Sequence, residues 1–231
     1  MTLGLQTTLL MLLSTSFGSL EAEESTVDWE VVVDEGGILV ERRERASSPM
    51  PVFRGTSQVD VRWDHVLAFL NDVESNHEWM YGCMESRILR RGGLGEFLVY
   101  HRTAAPWPLW DRDVLIQTRL VNHRDGSFEV RLTSVTDALH PPLKDVVRMP
   151  RLIGSYKLWP QGERTAIAFE IDVEPGGTVP IWLVKLVSRN LPLRTLQNLR
   201  KRVVDLAAQG RYRQSASRFY ARFEGHPSLA E

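Results

Sequence analysis

The middle of the chain alternates short apolar segments with turn-forming residues, and a long helical pattern follows. Six strand-like segments, one of them Val146–Leu158, lie between residues 83 and 174, separated by turns that contain glycine or proline. This spacing predicts an antiparallel meander. From Thr178 to about Ala208 the apolar residues recur at helical period, with Pro180 in the first turn. Pro192 predicts a kink or an interruption within this helix.

The residues before the meander add further strands and short helices. Residues 29–60 are predicted to form three β-segments, residues 62–72 a helix, and the stretch to Tyr81 a second short helix. An antiparallel sheet of this size has one solvated and one apolar face. A single long helix that covers a curved apolar face leaves a gap wider than a packed core, so this order of elements predicts an internal pocket.

Length and charge exclude several functional classes. The 231 residues suffice for one sizeable domain, and the formal net charge of −1 gives no field that would attract nucleic acid. The histidines are scattered and Cys83 is the only cysteine, so no metal site and no intramolecular disulfide is expected. Neither a Gly-x-Ser-x-Gly motif nor a phosphate-binding glycine loop occurs, and no cofactor is predicted.

The N-terminal segment has the pattern of a secretory signal peptide. Residues 2–20 carry no charged side chain, their centre is strongly apolar, and acidic residues follow. Cleavage is predicted after Ala22, which directs the mature protein to the periplasm. Retention of the uncleaved segment as a membrane anchor is the alternative, although the apolar stretch is at the short end for spanning a bilayer.

The segment PWPLWDRD, residues 106–113, precedes a predicted strand. Its two prolines fix the backbone and remove two hydrogen-bond donors, and Trp107 contributes a large amphipathic surface. In an extended chain Asp111 and Asp113 share the face opposite Arg112. If Arg112 points into an apolar cavity, it needs a carboxylate or a lipid headgroup as partner; otherwise it forms a surface ion pair that fixes the turn.

Two further segments accompany this one. EPGGTVPIW, residues 174–182, joins the meander to the long helix, and its glycines permit unusual backbone conformations. HPPLKDVVRM, residues 140–149, has the composition of a stiff, partly apolar loop.

In order and spacing these segments, together with GSYKLW at residues 154–159, resemble the START (StAR-related lipid transfer) domain family. The resemblance covers roughly residues 29–208 and implies an α+β helix-grip fold, in which a curved antiparallel sheet wraps around a long C-terminal helix and encloses an apolar cavity. We therefore divide the chain into a signal peptide (1–22), a START-like lipid-binding domain (23–210) and a polar, aromatic tail (211–231). Some family members have an internal carboxylate–arginine pair that has no clear counterpart here. Glu96 could supply the carboxylate, but Arg102 stands nearer the position where the carboxylate is expected.

The resemblance further implies that the protein is not an enzyme and that its ligand is a hydrophobic lipid: a sterol, hopanoid, fatty acid or phospholipid. It also implies that the protein is a monomer. Transient membrane contact is expected through lid loops and through the basic C-terminal helix. The ligand-binding candidates are Tyr100, Trp107, Arg112, Leu143, Met149, Trp182, Val187 and Leu191.

Two other functions stay open at this point. The same fold serves polyketide cyclases, and a cavity that holds His101, Tyr100 or Asp113 with a shifted pKa would favour an enzyme of that kind. A ligand-gated sensor is favoured if the tail from Arg211 onward binds a partner.

Overall fold

The computed structural model describes residues 29–45, 48–178 and 180–223, without the side chains of residues 49 and 181–189. The predicted signal peptide lies outside the described residues. The strands are β1 Glu30–Glu35, β2 Ile38–Arg45, β3 Ser48–Val59, β4 Cys83–Arg91, β5 Phe97–Thr103, β6 Asp111–Asn122, β7 Phe128–Val135, β8 Val146–Arg148, β9 Arg151–Gln161 and β10 Arg164–Glu174. The helices are α1 Trp63–Asn71, a 3₁₀ helix Val73–Glu78, α2 Ile181–Ala208 and α3 Arg213–Phe223.

All described strands belong to one sheet, in the order β1-β2-β3-β10-β9-β7-β6-β5-β4. Neighbours along this path pair antiparallel, so the predicted meander and the helix-grip fold are confirmed. One detail of the prediction is wrong: residues 146–158 do not form one strand. Pro150, which has no N–H to donate, separates β9 from the short β8, and β8 pairs parallel with β6.

Helix α2 packs across the part of the sheet formed by β2 and β3. It continues through Pro192, which excludes the predicted interruption. Gly55 of β3 explains the close approach at this point, because a Cβ atom built on Gly55 would lie 2.7 Å from Leu196 Cδ1 and 3.4 Å from Pro192 Cβ. Contact with the sheet at Gly55 therefore stabilises the helix around a residue that is unfavourable within it.

Helix α3 extends the packed unit beyond residue 210, where the sequence analysis ends the domain. It packs against α1, and its Ala216 and Phe219 are buried, as is Tyr212 just before it. The Tyr212 hydroxyl donates a hydrogen bond to Asp72 at 3.0 Å. Residues 211–223 thus contribute to the helical layer that faces the sheet.

Candidate functional site: an internal cavity with a buried arginine

A cavity of about 230 Å³ lies between the concave face of the sheet and the helices. One buried water molecule needs roughly 10–15 Å³ of such space, so this cavity is larger by an order of magnitude. Its walls are mainly apolar side chains of the central strands and the helices: Phe97, Val99, Ile116, Leu132, Leu152, Ile171, Leu67, Leu70, Leu191 and Phe219.

Strand β6 shows how the sequence forms this lining. Successive side chains of a strand point to opposite faces of the sheet. Arg112, Ile116, Thr118 and Leu120 accordingly line the cavity. The residues at odd positions, among them Leu115 and Arg119, point to the outer face, so strand alternation determines which side chains line the cavity.

Arg112 lies at the end of the cavity formed by the β5–β6 loop, residues 104–110, together with Met149 and Pro175. Its side chain is buried, with 7% of the residue exposed. Nη1 donates a hydrogen bond to the Trp110 carbonyl oxygen at 2.6 Å, and Nε has no partner in the described part of the chain. Burial lowers the pKa of the Arg112 guanidinium, and the Asp111 charge opposes that change.

The two aspartates beside Arg112 bind other arginines on the outer face. Asp111 accepts hydrogen bonds from Arg102 at 2.6 and 3.0 Å and from the Ala105 N–H at 3.1 Å. Asp113 is fully buried and accepts two hydrogen bonds from Arg148, at 2.7 and 3.1 Å. Neither aspartate therefore pairs with Arg112, because alternation directs both carboxylates to the opposite face of the strand.

Uncharged polar groups line the cavity as well. Trp79 Nε1, the Tyr156 hydroxyl and the Thr195 hydroxyl all line the cavity, and each is buried without a hydrogen-bond partner among the described residues. Trp79 and Tyr156 contact each other edge to face, with ring centroids 6.3 Å apart. Burial raises the pKa of Tyr156, so its hydroxyl keeps its proton.

His101 also lines the cavity. It is buried on β5, and its Nδ1 is 3.7 Å from Cys83 Sγ on the adjacent strand. Burial lowers the pKa of His101 to about 4 and raises the pKa of the Cys83 thiol to about 12. Both groups are therefore uncharged at neutral pH.

The predicted ligand-binding residues separate into three groups. Arg112, Met149 and Leu191 line the cavity. Tyr100 does not, because it occupies the outward register of β5 and packs with Leu98 and Leu115 in a separate cluster. Trp107 is 90% exposed and Leu143 50% exposed, so both lie on the surface rather than in the cavity. The side chains of Trp182 and Val187 lie outside the described residues.

Among the polar lining residues that the sequence analysis missed are Trp79, Tyr156 and Thr195. For Tyr156 a signal is present, because it shares strand register with the apolar Leu152 and Leu158 and therefore the inward face. Trp79 follows a 3₁₀ helix, whose exit direction cannot be read from periodicity. Thr195 lies on α2 between Leu193 and Leu196, and its burial depends on how the helix crosses the sheet.

The described residues were also considered for a metal site and for a membrane-spanning helix. No group of three or more His, Cys, Asp or Glu side chains among them could hold a metal ion. None of the described helices combines the length and the apolar composition needed to cross a bilayer.

Comparison with known proteins identifies the family. The START domain family model matches residues 17–208. The chain belongs to the START domain family. An uncharacterized protein of Pseudomonas aeruginosa is 30% identical over 174 residues, which cover 75% of this chain and 85% of that protein. Mouse START domain-containing protein 10 is 24% identical over 189 residues, 80% of this chain and 65% of the relative.

Solved START structures have the same fold. The STAR-related lipid transfer protein of Xanthomonas axonopodis superposes with a TM-score of 0.70 at 30% identity, covering 76% of this chain and 98% of that structure. Human STARD10 superposes with a TM-score of 0.69 at 21% identity, covering 81% and 78%. The sequence-based assignment to the START family is thus confirmed.

Proposed function

We propose that this START domain binds one hydrophobic lipid in its cavity and transfers it between membranes without chemical change. The observation that carries the proposal is the mainly apolar cavity in a chain whose relatives include a STAR-related lipid transfer protein. Each methylene group removed from water contributes about 0.8 kcal/mol. An acyl chain or a sterol ring system could therefore be held without any covalent bond. Sterols, hopanoids, fatty acids and phospholipids are the candidate ligands.

Two neighbouring loops support transient contact with a membrane. Trp107 and Trp110 of the β5–β6 loop are exposed, and so are Leu139 and Leu143 of the loop 136–145. The parallel pairing of Asp111 with Val146 brings the ends of both loops to the same edge of the sheet. Ala104 and Pro106 of the first loop also line the cavity, so these apolar side chains surround a route between the cavity and the surface.

The basic residues of α2 offer weaker support for membrane contact. Arg194 lies over the Tyr81 ring, Arg200 donates a hydrogen bond to the Gly36 carbonyl oxygen, and Arg202 pairs with Glu78. These arginines already have partners within the protein. We therefore propose the two loops as the main contact and the helix as an electrostatic addition.

We also propose that the protein acts in the periplasm after removal of residues 1–22. The uncharged apolar segment followed by acidic residues supports export. N-terminal sequencing of the protein from a periplasmic extract should begin at Glu23. Recovery of the intact N-terminus in the membrane fraction would instead favour the anchored form.

Transfer of a fluorescent phospholipid and of a fluorescent fatty acid between donor and acceptor vesicles tests the main proposal. Ile116→Trp should abolish transfer, because the larger ring fills the cavity from the inward face of β6. Arg119→Trp is the matched control: it adds the same ring on the outward face of the same strand and should transfer at the wild-type rate. Equal transfer by wild type and Ile116→Trp would contradict a role for the cavity.

A second candidate function, a cyclase-like enzyme, is favoured by one observation, the imidazole of His101 in the cavity wall. Its lowered pKa of about 4 is far from neutral pH, where a general acid or base is most effective. Recovery of a lipid that is chemically unchanged after repeated binding and release supports the carrier. Conversion of a bound polyketide by wild type and not by His101→Gln would support the enzyme.

A further inference from the structure

The guanidinium of Arg112 is a buried cation with no carboxylate partner in the described part of the chain. Its one hydrogen bond goes to an uncharged acceptor, the Trp110 carbonyl oxygen. The nearest candidates for a counter-charge are occupied: Asp111 binds Arg102, and Asp113 binds Arg148. A charge in an apolar cavity is costly unless an opposite charge with good hydrogen-bond geometry accompanies it. Arg112 is thus a buried positive charge without a compensating negative charge among the described residues.

The position of the Arg112 guanidinium indicates a role in the cavity rather than in holding the strands together. Arg112 lines the cavity at the end where Ala104 and Pro106 connect the lining to the surface. The outward ion pairs of its neighbours tie β6 to β5 and to β8 without Arg112. A guanidinium presents several N–H donors in one plane and matches carboxylate and phosphate oxygens in geometry and charge.

We propose that the lipid of this cavity carries an oxyanion headgroup, a carboxylate or a phosphate, which binds the Arg112 guanidinium. The inference rests on the proposed function and specifies its ligand class. The acyl chain then extends along the inward face of β6 past Ile116 and Thr118 to Leu120. The eight residue-to-residue steps of strand from Arg112 to Leu120 span roughly 26 Å, enough for an extended acyl chain.

The other unpaired polar groups of the lining explain why the headgroup belongs at Arg112. Trp79, Tyr156 and Thr195 offer hydroxyl and indole groups, which carry no charge at neutral pH. These groups can bind an ester or a hydroxyl, but they do not compensate an anion. An acidic headgroup placed there would be buried without a counter-charge, whereas at Arg112 each charge offsets the cost of burying the other.

Displacement of the neutral dye Nile red measures the preference of the cavity for acidic over neutral lipids. Palmitate is compared with methyl palmitate, and dipalmitoyl phosphatidate with dipalmitoylglycerol, so that each pair differs in its anionic group. Wild type should bind the acid of at least one pair roughly tenfold or more tightly than its neutral partner, as expected for a hydrogen-bonded ion pair. The pair that shows the preference identifies the headgroup as carboxylate or phosphate.

Arg112→Gln should lose this preference and retain its affinity for the neutral lipids. Arg119→Gln is the matched control, because it removes the same charge from the exposed face of the same strand and should keep the preference. Acetate and inorganic phosphate carry the oxyanion without a chain. Neither should displace the dye at concentrations where the lipids do, and displacement by either would assign Arg112 to a free anion instead.

A spectroscopic measurement on wild type covers the case in which Arg112→Gln does not fold. The carboxyl carbon of ¹³C-labelled palmitate bound to the protein should report an ionised group at pH 7. A protonated carboxyl at pH 7 would place the headgroup in the apolar part of the cavity and overturn the inference. So would equal affinity of wild type for the acids and the neutral lipids, or a preference that survives in Arg112→Gln. Failure of all four lipids to bind would instead contradict the proposed lipid binding itself.

Discussion

Two parts of the same sheet face the helical layer in different ways. Around β3 the sheet is in direct contact with α2, where Gly55 leaves room for Leu196 and Leu196 is fully buried. Around β5 and β6 the inward side chains, including Ile116 and Arg112, border the cavity instead. We call the first part the packed half and the second the hollow half.

The difference shows how one fold provides both stability and a binding space. In the packed half a glycine lets the helix approach, so side chains interdigitate at the density of a protein interior. In the hollow half large side chains form a wall, and five lining residues have a buried polar atom without a hydrogen-bond partner among the described residues: Asn71, Trp79, Arg112, Tyr156 and Thr195. We therefore expect substitutions in the packed half to change mainly stability and substitutions in the hollow half to change mainly binding.

The largest expected effect compares Leu196→Ala with Ile116→Ala. Leu196→Ala should lower the free energy of unfolding by about 4 kcal/mol, because it creates a new cavity in close-packed surroundings. Ile116→Ala should cost about 2 kcal/mol, because it only enlarges an existing cavity. Urea denaturation of both variants measures the difference. Equal losses would show that the two halves are packed alike.

A bulky residue at Gly55 is the next test. Gly55→Val should cost about 3 kcal/mol, since even a Cβ atom there would lie too close to Leu196. Thr56→Val, one position along β3 on the other face, serves as the control and should change stability by about 0.5 kcal/mol or less. A Gly55→Val protein as stable as wild type would remove the proposed reason for the close helix–sheet contact.

The buried imidazole of His101 makes the stability of the hollow half depend on pH. Its folded-state pKa of about 4 lies below the unfolded value near 6.5, so the unfolded chain binds more protons between these values. Stability should therefore fall as the pH drops through this window. From pH 7 to pH 5 wild type should lose about 2 kcal/mol more than His101→Gln does. Identical pH profiles for the two proteins would indicate that His101 is accessible to protons when folded.

The smallest expected effect is on the rate at which a maleimide labels the Cys83 thiol. Its raised pKa of about 12 leaves almost no thiolate at pH 8, and the thiolate is the reactive form. Labelling by a maleimide should therefore be slow in the native protein and become fast in urea. Native labelling as fast as that of a free thiol would show that this edge of the hollow half opens readily.

Periodicity predicted most of the fold, because strand alternation and helical spacing are local properties of the sequence. The six-strand meander, α1 and α2 follow from them, whereas the break at Pro150 and the parallel β8 depend on a long-range pairing with β6. The candidate site was predicted less completely. Arg112 was singled out because it faces away from Asp111 and Asp113, with a surface ion pair as the alternative. Tyr100 was misplaced, although strand alternation puts it on the outward face opposite His101.

Other parts of the site could not be derived from local pattern. The pairing of Asp113 with Arg148 joins residues 35 positions apart and depends on the parallel β6–β8 contact. The exposure of Trp107 depends on the course of the β5–β6 loop, which its two prolines restrict without specifying.

The most direct test is native mass spectrometry of the full-length chain, expressed with its N-terminal segment and purified without detergent. The account predicts a complex of one protein with one lipid, whose lipid is recovered by organic extraction and is absent from the Ile116→Trp variant. Only the mass of the lipid-free protein, both as purified and after incubation with a total lipid extract, would contradict it.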